Sequence, residues 1–471
     1  MTKKNAKKVS KVSLGHVPMF LLWVTLAALT LLRLLVAYSG SLGESEALLS
    51  VCGSHPAGGY VEGPCGLPFL AAFLLAVKPF LGVSALVVLR SVSPLAALLL
   101  SWCVWWIAHR LAPHRPALAL WSVIAVNVLP WVNLASLVLD GALVTASLVL
   151  LCMVSGWSAE ELPVKGRQSI LPWFLFGLAL AVTTLFYYPI GWLFPLAVAV
   201  RLYRQGVKGF SWKGASITFV LLILGWIFPL YWNARHDWIQ WSSVARGFDS
   251  YAVGGCTLSL SICIALSALI VPALVFLAAE GVWWRRVMTL LLLVAVLGSG
   301  WVFAMPSRLP ENAPSPLGVQ GVVELAREVL ALRKERPDAK GEESFLIAQS
   351  SGLAALLGEK IILAYPERPG APSVFVAESP SMNSSYALWP SYADADAPTV
   401  KDILYSEEKT ASPFLGRNAL YITAEAPNEL PQTIKGAFGA VGLLQEVPLT
   451  KNGESEVIRI YQCETYRGLS L

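Results

Sequence analysis

Charge is scarce in this sequence. Asp, Glu, Lys and Arg make up 14% of 471 residues, where soluble domains carry about a quarter, and hydrophobic residues reach 56%. That composition excludes an ordinary soluble globular protein. Carboxylates are scarcer still in the first two-thirds, where nine precede position 306. No CxxC, HExxH, P-loop or Rossmann fingerprint occurs, so the chemistries those motifs serve lack support. There is no basic–aromatic pattern of the kind that reads nucleic acid, and no internal repeat. The seven cysteines form no metal-binding spacing. Cys103, Cys152 and Cys263 fall in apolar blocks and read as packing residues, while Cys52, Cys65, Cys256 and Cys463 fall outside them. Cys52 and Cys65 share one short loop, so a disulfide is open to them in an oxidising compartment, although spacing does not establish the pairing.

What the chain does have is apolar blocks of about 20 residues, the length that crosses roughly 30 Å of hydrocarbon. They place nine spans, at 17–38, 86–108, 117–137, 141–156, 171–186, 189–203, 214–232, 257–281 and 287–304. The leader "MTKKNAKKVSKVSLGH" carries five lysines and no acid. The run after it, Val17 to Tyr38, is too long for the core of a cleaved signal ending near Ser39, so it reads as a retained helix with its lysines in the cytoplasm. Threading nine spans from there puts fifteen Lys and Arg on the inner side and only Lys78, Arg235 and Arg246 on the outer side. Tryptophan pairs at 105–106 and 283–284 fall where an inner aromatic belt would lie.

The same threading gathers Glu44, Glu46, Glu62, Asp140 and Asp237 on the outer face, from separate segments. Loops are polar in any case, but charges brought to one membrane face by several helices commonly line a site. Beyond about Met305 the balance reverses, to 21 acidic and 15 basic residues. Amphipathic helix candidates ("GVQGVVELAREVLALRKE", "NELPQTIKGAF") alternate with short apolar strands ("SFLIAQ", "KIILAY", "PSVFVAE", "NALYITA"), which suggests an α/β domain. A hairpin follows, with Asn452-Gly453 near its turn. The expected fold is an α-helical multi-pass membrane bundle, residues 1–304 with an acidic outer loop at 39–66, joined by a Pro/Ser-rich linker to an extracytoplasmic α/β domain, residues 305–471.

One stretch, "PLYWNARHDWIQWSSVARGF" from Pro229 to Phe248, leaves the membrane with Trp232, Trp238 and Trp241 at the interface and a dense polar patch. An interfacial belt accounts for the tryptophans but not for Asn233, Arg235, His236 and Asp237. Trp232, Asn233, His236, Asp237 and Trp238 form a W-N-x-x-H-D-W string. It resembles the motif of bacterial polyprenyl-phosphate-dependent glycosyltransferases, the GT-C-class family 39 that includes protein O-mannosyltransferases and lipid A aminoarabinose transferases. Other pieces resemble that family in its order: Arg33 before the "SEA" loop of Ser45 to Ala47, "GYVEGPCGLP" with Glu62 in its acidic position, Arg90, Asp140 in "LVLDGAL", "GLALAVTTLFYYP", and "SSYALWPSY" in the outer domain. The resemblance runs from Arg33 to Tyr392.

The resemblance implies a GT-C bundle of about nine spans, with an active site at the outer face of the bacterial inner membrane. The donor it implies is a sugar on a polyprenyl phosphate, and the acceptor an envelope glycan, lipid or protein. Such a transfer requires a base for the acceptor hydroxyl, groups that hold the phosphate, and an apolar groove for the lipid. For the base the favoured residue is Glu46, with Glu44, Glu62 and Asp140 as the other carboxylate candidates. For the donor phosphate and sugar the candidates are Lys78, Asn233, Arg235, His236, Asp237, Tyr187 and Tyr188. No cofactor is expected to be required, and the four carboxylates leave a divalent cation open. The chain departs from the family pattern in three places. Ser45 stands where relatives carry the aspartate usually assigned as base, Tyr187 replaces a lysine, and fewer spans follow the W-N-x-x-H-D-W string. Those departures keep a second reading open, a catalytically silent relative that binds lipid-linked sugar or supports a partner enzyme. A transporter is a third reading; the spans hold few charges beyond Arg33 and Arg90, which argues against it.

Overall fold

The computed structural model describes residues 16–160, 170–240, 258–308, 317–338, 341–379, 382–394, 412–451 and 454–468. The N-terminal lysines, Lys165, Arg167, Trp241, Arg246, Cys256 and the Asn452-Gly453 turn lie outside these residues.

The helices of the first two-thirds, among the described residues, are α1 (His16–Tyr38), α2 (Glu44–Ser54), α3 (Gly66–Leu81), α4 (Ala85–Leu111), α5 (Pro116–Asn127), α6 (Pro130–Ala135), α7 (Ala142–Glu160), α8 (Leu171–Thr184), α9 (Leu193–Gly209), α10 (Trp212–Arg235), α11 (Leu258–Glu280) and α12 (Val282–Ala304). Five of them, α4, α7, α10, α11 and α12, are long and apolar enough to cross a membrane. They coincide with the spans expected at 86–108, 141–156, 214–232, 257–281 and 287–304. Leu22–Tyr38, Gly66–Leu81, Pro116–Asn127 and Leu171–Thr184 are apolar but shorter. Helices α4 and α7 form the centre, where Leu100, Cys103 and Val104 pack with Leu143, Ala146 and Leu150 in one buried cluster. Helix α12 instead exposes Leu290, Leu293, Val294, Leu297 and Trp301. An apolar face of that extent suits a lipid surround and not water.

The span expected at 117–137 is not continuous. Leu129 is extended (ψ 132°) before Pro130, because a residue preceding proline is pushed out of the helical region. The break frees carbonyls inside an apolar bundle, where unpaired backbone groups are costly. Arg33 Nη2 donates to the Asn127 carbonyl at 3.2 Å, Asn133 Nδ2 donates to it at 3.0 Å, and Ser299 Oγ donates to the Val128 carbonyl at 2.6 Å. Arg33 also donates to the side-chain oxygens of Asn127 and Asn133. The charge buried in α1 is thus accounted for by the helix break, not by a ligand site. The outer loop expected at 39–66 contains helix α2, and Lys78 lies on helix α3. At 16 residues α3 is about 24 Å long, short of a bilayer's hydrocarbon core.

The C-terminal part is a six-stranded mixed sheet of β1 (Val319–Gln320), β2 (Phe345–Ala348), β3 (Phe375–Val376), β4 (Ala419–Thr423), β5 (Phe438–Lys451) and β6 (Glu454–Tyr466), in the order β1-β5-β6-β4-β2-β3. Strands β4, β2 and β3 run parallel; the other neighbours are antiparallel. Alternation decides the two faces. Leu346, Ala348, Leu420, Ile422, Ile458 and Ile460 pack with α13 (Val322–Glu335) and α14 (Ser351–Lys360). Phe345, Tyr421 and Tyr461 join Phe375, Tyr392, Phe414 and Tyr466 in an aromatic core on the other face. The strands expected in "SFLIAQ", "PSVFVAE" and "NALYITA" are β2, β3 and β4, and the hairpin is β5–β6. "KIILAY" is not a strand: no ladder partner meets it among the described residues, and Ile362 is 91% exposed. The helix expected in "NELPQTIKGAF" shrinks to the single turn α15 (Gln432–Lys435), bounded by Pro431 and Gly436. Helix α14, not anticipated, lies on α2; a Cβ at Gly352 would stand 2.8 Å from the Glu44 Cβ, so glycine permits that approach.

Candidate active site

The turns at one end of the bundle and the sheet domain meet around Glu46. Its side chain and that of Arg90 are both 0% exposed and pair at 2.7 Å. Arg90 Nε donates to Oε1 and Oε2 (2.9 and 3.1 Å) and Nη2 to Oε2. The Gly43 N–H donates to Oε2 at 3.0 Å and the Leu139 N–H to Oε1 at 3.1 Å. Arg90 spends further donors on the Ala37 and Ser41 carbonyls, each at 2.7 Å, at the end of α1. A planar guanidinium fork matches a carboxylate, and burial makes the pair costly to separate. This knot fastens α1, α2, α4 and the turn before α7. It also occupies both oxygens of the carboxylate that the sequence favoured as base, so accepting a proton there means giving up a buried cation.

Asp140 is placed differently. It lies in the turn between α6 and α7, next to Gly141, whose φ of +83° falls in the left-handed region. Oδ1 accepts the Ala142 N–H at 2.9 Å, while Oδ2 is buried with no hydrogen-bond partner among the described residues. Burial pushes the carboxyl up to about 8, and the negative Glu46 adds to the rise. A buried, unpaired carboxylate oxygen calls for an explanation, and one is a reacting partner absent from the resting protein.

Glu62 ties the bundle to the sheet domain. Its Oε1 accepts the Ser385 N–H at 2.8 Å, its Oε2 accepts the Ser385 hydroxyl, and the Val61 N–H donates to Ser385 Oγ at 3.0 Å. Burial raises this carboxyl, and the two Ser385 donors oppose the rise. Beside it the His55 and Trp389 rings stack at 4.5 Å. "GYVEGPC" and "SSYALWPSY", more than 300 residues apart, are therefore one contact.

The W-N-x-x-H-D-W string supports the same loop through a residue the sequence reading passed over. Gln240, 2% exposed, donates from Nε2 to the Tyr60 carbonyl at 2.8 Å and the Gly63 carbonyl at 2.6 Å. Its Oε1 accepts from Tyr188 Oη at 2.9 Å and Asn233 Nδ2 at 2.6 Å. Asn233 and Tyr188, read as donor-binding residues, thus hold Gln240, which holds the Glu62 loop. Glycine is needed at Gly59, where a Cβ would meet the Trp232 ring at 2.6 Å. The only sequence signal for Gln240 was its place four residues after His236. Ser385 could have been marked only as part of its own string.

The remaining candidates make contacts of their own. Glu44 bonds Lys451 at 2.9 Å on the surface. His236 stacks on Trp232 at 4.1 Å, with Nδ1 2.8 Å from the Trp232 carbonyl. Arg235 is exposed, its guanidinium 5.2 Å from the centre of the Tyr231 ring. Asp237 is exposed, with φ 51°. Lys78 is half-buried near the end of α3, and Tyr187 is half-buried just before the turn Tyr188–Trp192. Cys52 and Cys65 are buried free thiols, so the disulfide left open by their spacing is not formed. Among the described residues no group of three or more His, Cys, Asp or Glu side chains gathers as a metal site. Glu44, Glu46 and Glu62 each face a different protein partner.

No protein-family model and no curated protein matches the sequence. Among solved structures, ArnT from Cupriavidus metallidurans in the apo state aligns over 95% of this chain and 98% of its own, with a TM-score of 0.51 and 11% identity. The structure of that protein bound to undecaprenyl phosphate aligns over 94% and 98%, with a TM-score of 0.48 and 12% identity. At such identity the likeness to the apo structure is one of fold. The chain has the ArnT-like GT-C fold, a helical membrane bundle followed by a C-terminal sheet domain.

Proposed function

We propose that the chain is an integral-membrane glycosyltransferase. It moves a sugar from a polyprenyl-phosphate donor to a hydroxyl of an envelope glycan, lipid or protein, at the outer face of the bacterial inner membrane. The observation that carries this reading is the unpaired, buried Oδ2 of Asp140, raised towards neutral pH beside a locked ion pair. Asp140 in its ionised form takes the proton of the acceptor hydroxyl. The acceptor oxygen bonds to the anomeric carbon, the bond from that carbon to the phosphate oxygen breaks, and the lipid phosphate leaves with the electron pair. Glu46 and Arg90 are positioning residues that hold the Asp140 turn against α1, α2 and α4. Glu62 and Gln240 position the loop beneath the sheet domain. Lys78, Arg235 and His236 are the basic groups assigned to the leaving phosphate. In this reading residues 1–304 form the membrane domain with a cytoplasmic N-terminus, and residues 305–471 lie outside.

Native mass spectrometry of the purified protein, wild type beside Asp140→Asn, tests the proposal. Retention or enrichment of a polyprenyl-phosphate sugar in the variant supports it. Bulk phospholipid alone in both overturns it. The ion-paired Glu46 and the serine at position 45 favour one competing reading, a silent relative that binds the lipid-linked sugar. Under that reading the wild type carries the lipid yet transfers nothing to any acceptor.

A further inference from the structure

We infer that the sheet domain holds a binding cleft for a neutral saccharide, the acceptor side of the reaction proposed above, on which this inference rests. A cavity of about 290 Å³ opens beyond the carboxyl ends of the parallel strands β2 and β3. Gln349 and Ser350 follow β2 directly, and Ala377 and Glu378 follow β3. In α/β sheets the crevice outside the carboxyl ends of parallel strands is where ligands bind, since the loops there leave side chains and backbone groups converging on open space.

The lining chemistry selects the ligand. Hydroxyl and amide groups from Ser350, Ser351, Ser384, Ser391 and Gln349 share the lining with the Tyr386 and Phe375 rings and smaller apolar side chains. This mixture of short polar groups and aromatic faces matches the hydroxyl edges and C–H faces of a sugar ring. Among the described residues Glu378 is the one charged residue in the lining, which holds no Lys or Arg. An anionic ligand would therefore meet a carboxylate and no counter-charge. The cleft also touches the site already described. Ser384 and Tyr386 line it, and Ser385 between them donates to Glu62 from both its N–H and its hydroxyl. A saccharide seated here lies one residue from the contact that joins the sheet domain to the acidic loop.

Saturation-transfer NMR on the detergent-solubilised full chain tests this, with maltose and chitobiose as neutral probes and glucose 6-phosphate as the anionic one. Ala387, an exposed cleft residue, gives a blocking variant, Ala387→Trp, that fills the cavity without displacing a core side chain. Ala387→Ser is the matched conservative variant. Transfer to the ring protons of a neutral probe in wild type and Ala387→Ser, lost in Ala387→Trp and absent for glucose 6-phosphate, is the expected result. No transfer to either neutral probe in the wild type, an undiminished signal in Ala387→Trp, or equal transfer to the phosphate sugar overturns the inference. The donor half is read separately by native mass spectrometry on the same preparations. Missing lipid speaks against the proposed function, and missing saccharide transfer against the cleft.

Discussion

Replacing Glu46 by glutamine separates a structural carboxylate from a catalytic one. The amide keeps the volume and loses the charge, so Arg90 remains buried at 0% exposure without its counter-ion. The amide nitrogen also turns a donor towards the N–H groups of Arg90, Gly43 or Leu139, all of which donate to the native carboxylate. Removing one partner of a buried pair costs about 3–5 kcal/mol. At about 1–2 °C per kcal/mol for a chain this long, the apparent unfolding midpoint falls by about 3–10 °C. The buried free thiols of Cys52 and Cys65 supply the assay, since a thiol-reactive dye reports their exposure as the protein is heated at a fixed rate. The double variant Glu46→Gln, Arg90→Met removes both charges and recovers most of the loss. A single variant within about 1 °C of wild type, or a double variant worse than the single, refutes the reasoning.

Asp140→Asn is the complementary change. Asparagine still accepts the Ala142 N–H and Oδ2 has no partner to lose, so the midpoint does not drop below wild type while transfer falls about 10²–10⁴-fold; residual activity near wild type rejects Asp140 as the base. The Asp140 carboxyl is raised from 3.8 to about 8, so its base form, and with it transfer, grows as pH rises through about 8. Stability moves the opposite way: folding favours the protonated acid, and that contribution is whole below about pH 4 and lost as pH passes about 8. Melting curves across that range should fall more steeply for wild type than for Asp140→Asn, and parallel curves contradict the shift. Gln240→Met removes the bonds to the Tyr60 and Gly63 carbonyls, and hydrogen exchange at residues 60–63 should accelerate about tenfold or more; unchanged protection denies it a positioning role. An accessible tag at the C-terminus, labelled from outside intact cells, is expected, and labelling only after permeabilisation reverses the orientation.

The sequence by itself determined the class of the molecule. Apolar blocks of bilayer length, and charge concentrated between them, are local properties readable one segment at a time, and they marked the five long spans and the change of character near residue 305. Period-two alternation and an Asn-Gly pair marked the hairpin. The sequence also singled out Glu46, Glu62, Asp140, Asn233 and Tyr188, which the fold brings to one end of the bundle. It could not rank them. Three carboxylates in a list of residues are chemically alike, and what separates them is their partners: Arg90 and Leu139 for Glu46, 44 and 93 positions away, Ser385 for Glu62, 323 away, and the nearby Ala142 for Asp140. Only the tertiary structure put Arg90 on Glu46, Ser385 on Glu62 and nothing on one oxygen of Asp140. It likewise set Arg33 against a broken helix, and Asn233 and Tyr188 against Gln240. Burial and pairing distinguish one carboxylate from another, and both arise only when distant segments pack.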